Sequence, residues 1–233
     1  MKIHGAGRDA GSFVIMEPMK QIFILGASGV YGVGSKSDGW GGLVKSHVHS
    51  KIYGDGGAGE VCEVFNFAKS GSTVEFWLET ASTVFDNYSR GGEVLTIVSI
   101  GGNDARASDE PENYVCSTEE FREKIQKLLA TLKERSDQVI FVANGLMDES
   151  KVNPKISPFS GRASYFTNER RSLFNDISRE VCEEIGLEFV ANKVDKDVWV
   201  KEYLYEDGLH PNEDGYKKVF EGIVPYVDEF FGS

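Results

Sequence analysis

Tyr205-Glu-Asp207-Gly-Leu-His210-Pro-Asn212 sets a carboxylate three residues before an imidazole, in a stretch where Gly208 and Pro211 favour a turn. In such a turn Asp207 can fold back onto Nδ1 of His210 and leave Nε2 free as a general base. An aspartate capping a turn beside an exposed histidine fits the same spacing. His4, His47 and His49 have no carboxylate so placed. A base needs a proton to remove, and Ser28 offers one, in Gly26-Ala-Ser28-Gly-Val-Tyr-Gly32 directly after an apolar run. A serine hydroxyl attacks a carbonyl only when a base takes its proton, when a third group orients that base, and when donors meet the developing oxyanion.

Two further stretches carry groups suited to the last task. In Gly101-Gly-Asn103-Asp104, two glycines let the chain turn sharply off a strand, and Asn103 offers an uncharged amide N–H. Asn-Asp also favours an Asx-turn. In Ser70-Gly71-Ser-Thr73 no side chain screens the Gly71 N–H from a substrate, although an ordinary strand-to-helix turn reads the same way.

The glycines at 26, 29 and 32 also fit a loop that cradles the pyrophosphate of a dinucleotide. That reading requires a helix starting in the loop, its N-terminus facing the phosphates. The residues that follow, Val33-Gly-Ser-Lys-Ser-Asp-Gly39, are poor helix formers. No tyrosine has a lysine four residues on, the pair that short-chain dehydrogenases carry. An NAD(P)-binding oxidoreductase is therefore the weakest of the three functions considered.

Positioning these groups falls to strands and helices that alternate along the chain. Ile22–Leu25, Val64–Phe67, Val94–Ile100, Val139–Val142 and Leu187–Ala191 read as strands covered on both faces. A helix is expected over 73–85. Another follows the capping-box spacing Ser117–Glu120, with Phe121, Ile125, Leu128, Leu129 and Leu132 in one stripe. Thr167 or Asn168 caps a third, with Leu173, Phe174, Ile177, Val181 and Ile185 inward and Gly186 just past its end. A last helix starts near Glu213, with Pro225 expected to kink or interrupt it. Residues 146–166 form the longest irregular stretch. This alternation predicts a three-layer α/β/α fold around a five-stranded, mostly parallel sheet, with ligands at the carboxyl ends of the strands. Residues 1–19 read as a flexible N-terminal extension and 20–233 as one domain.

A formal charge of −12 argues against nucleic acid or an anionic membrane as partner. No apolar run approaches the roughly 20 residues of a membrane span. Cys62, Cys116 and Cys182 form no zinc-type cluster, and reduced, partly buried thiols in a cytoplasmic protein are expected.

Taken in chain order, the four stretches resemble the GDSL/SGNH hydrolase superfamily. Gly26-Ala-Ser28 with Tyr31-Gly32 looks like its nucleophile block, and Asn66–Gly71 like the block with an oxyanion glycine. Gly101-Gly-Asn103-Asp104 looks like Gly-x-Asn-Asp, and Asp207-Gly-Leu-His210 like Asp-x-x-His. Gly145-Leu-Met-Asp-Glu149 also resembles a segment of bacterial members. The resemblance spans about residues 20 to 230 and implies the flavodoxin-like SGNH fold. It further implies Ser28 as nucleophile, His210 as base, Asp207 as orienting acid, and an oxyanion hole of the Ser28 and Gly71 N–H groups with the Asn103 amide. The substrate would be a small or medium acyl ester, with no cofactor and no metal. Ala27 departs from the family's Asp, and Gly29 stands where an apolar residue is usual. A catalytically weak domain that binds an acylated or carbohydrate ligand is the alternative this departure raises.

Overall fold

The computed structural model describes residues 19–54, 61–158 and 160–232. In chain order its elements are β1 (Lys20–Gly26), α1 (Ser28–Tyr31), α2 (Gly39–Tyr53), β2 (Cys62–Asn66), α3 (Val74–Tyr88), β3 (Glu93–Ser99) and β4 (Ala107–Ser108). There follow α4 (Thr118–Arg135), β5 (Gln138–Val142), β6 (Lys155–Ile156), β7 (Ala163–Tyr165), α5 (Asn168–Ile185), β8 (Glu188–Val190), α6 (Lys196–Glu202) and α7 (Glu213–Gly232). The expected N-terminal extension lies, but for Met19, outside the described residues.

The five apolar runs pair in the order β2-β1-β3-β5-β8, every pair parallel. Strand residues alternate between two cores, as the two-residue period of a strand requires. Phe23, Leu25, Val98 and Phe141 face α3, α4 and α5, whereas Ile22, Ile24, Ile97 and Ile140 face α2 and α7. Three layers result, the fold class the alternation predicts. No helix among the described residues is long and apolar enough to cross a membrane.

Local chemistry sets the helix ends as expected. The Ser117 side chain accepts from Glu120 N at the start of α4, a cap worth about 1 kcal/mol. Thr167 accepts from Arg170 N at the start of α5, which ends on Gly186 in the left-handed region. All three cysteines are buried. The stretch Val33–Asp38 is not helical, as its residues predict, and α2 begins only at Gly39.

Three expectations need correction. Residues 146–166 are not wholly irregular: β6 and β7 lie within them and form, with β4, a separate antiparallel sheet in the order β4-β7-β6. Leu173 is 42% exposed rather than inward, because the buried face of α5 runs through Phe174, Ile177, Val181 and Cys182. Pro225 does not interrupt α7, which runs through it with Ile223, Val227 and Phe230 buried on either side. Packing on the sheet outweighs the one backbone bond that proline removes.

Candidate active site

Strand order reverses at β1, whose neighbours are β2 and β3, and such a switch point leaves a crevice at the carboxyl ends. The loops leaving all three strands meet there. β1 ends at Gly26, where a Cβ would lie 2.3 Å from Val30 Cγ2 and 2.5 Å from Ser99 O, so only glycine fits. The Gly26 carbonyl takes three donors: Lys69 N at 3.0 Å, Ser72 Oγ at 2.9 Å and Trp77 Nε1 at 3.3 Å. The next residues close a single helical turn. Val30 N and Tyr31 N donate to Ala27 O, Gly32 N and Val33 N donate to Ser28 O, and Gly32 sits at φ 96°. Ser28 occupies the first position of that turn, where the N–H has no intrahelical acceptor. The next long helix begins only at Gly39, so the glycine loop does not open the extended helix that a pyrophosphate cradle needs.

The loop after β2 brings Gly71 to the same crevice at φ 80°, with nothing within 4 Å of where a Cβ would stand. The loop after β3 turns at Gly101, φ 101°, over the Phe121 ring. It is clipped to the β2 loop in two places. Asn103 Nδ2 donates to Ser72 O at 2.9 Å, and both carboxylate oxygens of Asp104 accept from Val74 N at 3.0 and 3.2 Å. Burial pushes the Asp104 carboxyl up to about 6, against the opposing Val74 hydrogen bond. The Asn-Asp pair was readable as an Asx-turn. What it does here is join two loops, which spacing alone does not reveal.

From the C-terminal side, the turn over 205–212 delivers the histidine. Asp207 Oδ1 accepts from Leu209 N at 2.9 Å and His210 N at 3.0 Å, and Oδ2 lies 2.7 Å from His210 Nδ1. Burial opposes the Asp207 charge, yet these bonds outweigh it and hold the carboxyl well below the usual range. A carboxylate only accepts, so Nδ1 carries the proton and Nε2 is the acceptor. Nε2 stands 2.8 Å from Ser28 Oγ. Ser28, His210 and Asp207, separated by up to 182 residues, thus form one hydrogen-bonded chain. Gly71 and Asn103 line the same cleft as these three.

One contact has no signal in the sequence. Lys155 of β6 places Nζ 3.2 Å from Asp207 Oδ2 and donates to Asp207 O at 3.0 Å. It lies 52 residues from its partner, on a two-residue strand. Among the described residues no three His, Cys, Asp or Glu side chains gather as metal ligands.

Residues 24–218 match the GDSL-like Lipase/Acylhydrolase family. The chain is 31% identical over 159 residues to the GDSL esterase/lipase CPRD49 of Arabidopsis thaliana, covering 65% of this chain and 61% of that protein. It is 27% identical over 143 residues to the isoamyl acetate-hydrolyzing esterase of Saccharomyces cerevisiae, covering 59% and 58%. The matches thus span about three-fifths of the length of these two relatives. Among solved structures, the lipase/acylhydrolase from Enterococcus faecalis superposes with a TM-score of 0.66 at 20% identity, covering 90% of this chain and 96% of that one. At that identity the likeness is one of fold. The match over residues 24–218 takes in all four loops of the crevice, and this chain belongs to the GDSL-like lipase/acylhydrolase family.

Proposed function

We propose that this protein is a serine esterase that hydrolyses small or medium acyl esters through an acyl-enzyme. The observation that carries the reading is the unbroken relay from Ser28 Oγ to His210 Nε2, at 2.8 Å, and from His210 Nδ1 to Asp207 Oδ2, at 2.7 Å. In this reading His210 takes the Ser28 proton as Oγ bonds to the ester carbonyl carbon. The carbonyl electron pair moves onto oxygen, where the Ser28 and Gly71 N–H groups and the second N–H of Asn103 Nδ2 receive it. On collapse the bond to the alcohol breaks and His210 hands its proton to the leaving oxygen. Water then attacks the acyl-enzyme by the same route, with His210 as base, and releases the acid and Ser28. Asp207, kept ionised, holds the ring in the tautomer this needs and stabilises the imidazolium.

A cleft of about 410 Å³ beside Ser28 suits a small ester. The name of the yeast relative, an isoamyl acetate-hydrolyzing esterase, supports a short acyl group. Turnover of p-nitrophenyl acetate and butyrate tests the reading. Ser28→Ala is expected to abolish it in a protein that folds as the parent does. Activity that survives this change intact would refute the assignment.

A second reading, a weak or inactive relative that binds an acylated or carbohydrate ligand, has one observation in its favour. Ala27 gives the nucleophile turn no side-chain cap. A fluorophosphonate probe separates the two: Ser28 labels in an esterase. Absence of labelling, together with thermal stabilisation by an acetylated sugar, would favour the binding protein.

A further inference from the structure

The cleft beside Ser28 is lined by three basic side chains, Arg106, Lys155 and Arg162, in a chain of formal charge −12. Their charges are not equally available. Arg162 Nε bonds both oxygens of Asp109, at 3.1 and 3.0 Å. Lys155 lies against Asp207. Arg106 forms no ion pair among the described residues. Its Nη1 donates to the Ser164 hydroxyl at 3.0 Å, and most of the five guanidinium N–H donors have no acceptor among the described residues. The side chain is half-buried, and both burial and the positive Arg162 nearby work against its charge. The nearest acids are already engaged, since Asp104 takes the Val74 N–H with both oxygens and Asp109 is held by Arg162. The small sheet explains the placement. Ser108 pairs with Ser164, and Ser164 with Lys155, so one row of the β4-β7-β6 sheet presents hydroxyls and an ammonium to the cleft. Arg106 enters that row just before β4.

A half-buried guanidinium with open donors, in the same cleft as the Ser28 hydroxyl, is a receptor for a planar anion. We propose that the cleft takes esters carrying a carboxylate a few atoms from the scissile carbonyl, and that Arg106 is the residue that binds it. This rests on the reading of Ser28 as an esterase nucleophile and adds the substrate class.

Paired esters test it. On the acyl side, mono-p-nitrophenyl adipate is compared with p-nitrophenyl hexanoate; on the alcohol side, para-acetoxybenzoate with its methyl ester. In each pair the quantity read is the ratio of kcat/KM, anion over neutral. Arg106→Gln is expected to lower that ratio by about tenfold to a hundredfold in one arm, the usual size of a hydrogen bond to a charged group. A ratio unmoved in both arms overturns the proposal. If the variant does not fold, Arg106→Lys, which keeps the charge and loses the fork, is expected to lower the ratio less. Raising salt from about 0.05 to about 0.5 M on the unaltered protein should also lower it, and a salt-independent ratio counts against the subsite. Calorimetric titration of Ser28→Ala with monoethyl adipate and diethyl adipate reads the subsite without turnover. Tighter binding of the anion, lost on adding Arg106→Gln, supports it, and equal affinity overturns it. Failure of the unaltered protein to cleave any of the four esters counts against Ser28 instead, and the titration then decides on the subsite alone.

Discussion

Asn103→Ala separates a catalytic contribution from a structural one, because the two hydrogens of Nδ2 have different work. One is donated to Ser72 O at 2.9 Å and ties the β3 loop to the β2 loop. The other is the proposed oxyanion donor. Losing an oxyanion donor costs roughly 2.7–4 kcal/mol of transition-state stabilisation, which is about a hundredfold to a thousandfold in kcat. Losing the Ser72 contact leaves a carbonyl short of a partner at a part-buried position, at roughly 1–3 kcal/mol of stability. Ser72 N and Oγ keep their own bonds, to Lys69 O and Gly26 O, so the loop should hold and the loss should fall toward the lower figure. The assay is steady-state kinetics on p-nitrophenyl butyrate alongside a urea titration, for Asn103→Ala and for Ser72→Ala, which deletes only the hydroxyl bond to Gly26 O. The expected pattern is a two- to three-decade fall in kcat with KM little changed for Asn103→Ala. Asn103→Ala that loses stability yet keeps kcat within about threefold would remove this side chain from the oxyanion hole.

Other consequences follow from the same loops. Asp104 has a folded-state pKa of about 6, above the ordinary carboxyl value near 3.9, so the folded protein holds its proton more tightly. Its contribution is therefore fully present below pH about 4 and is lost as pH rises through about 6, by on the order of 2–3 kcal/mol. Asp104→Asn should remove that pH dependence, and a stability gap from the parent that stays constant between pH 4 and 7 in urea titrations would refute the sign. Gly26→Ala puts a methyl 2.3 Å from Val30 Cγ2 and 2.5 Å from Ser99 O, so the turn around Ser28 must shift. About 1–3 kcal/mol of stability and at least tenfold in turnover should go with it. Gly29→Ala, with nothing within 4 Å, should leave stability within about 0.5 kcal/mol, and equal effects of the two changes in thermal melts would contradict the packing argument.

What the sequence made legible is what periodicity and turn chemistry encode. The five main strands announce themselves as continuous apolar runs, and α4 and α5 through Ser117, Thr167 and Gly186, because buried faces and caps are local constraints. The four loops of the site were legible because each follows or precedes such an element. α2 was hidden by its glycines. Gly42 is needed where a Cβ would stand 2.4 Å from the Ser37 carbonyl oxygen, a demand of the chain's entry into the helix that overrides poor helix propensity. The β4-β7-β6 sheet was hidden because strands of two or three residues carry no period. That sheet brings up Lys155 and Arg106, so the electrostatics of the cleft lay beyond the sequence even though its hydroxyl, imidazole and carboxylate did not.

Ala27, where the resemblance leads one to expect Asp, leaves the turn around Ser28 to be held without a side-chain cap. An aspartate there would add side-chain acceptors to the Ser28 turn; Ala27 adds none and packs partly buried against the core beside β1. The turn is instead fixed from the main chain. Its floor is the Gly26 carbonyl with three donors from the β2 loop and α3, and its own four backbone bonds close it around Ser28. Two of the three floor donors, Ser72 Oγ and Trp77 Nε1, come from side chains that are themselves buried, so water does not compete for them. Rigidity at Ser28 therefore depends on Ser72 and Trp77 more than on residue 27. Trp77→Phe, which keeps most of the ring volume and removes only the N–H, should lower kcat more than it lowers stability. Restoring Asp at position 27 in that background should recover part of the rate. A Trp77→Phe protein that turns over as fast as the parent would place the rigidity of the turn elsewhere.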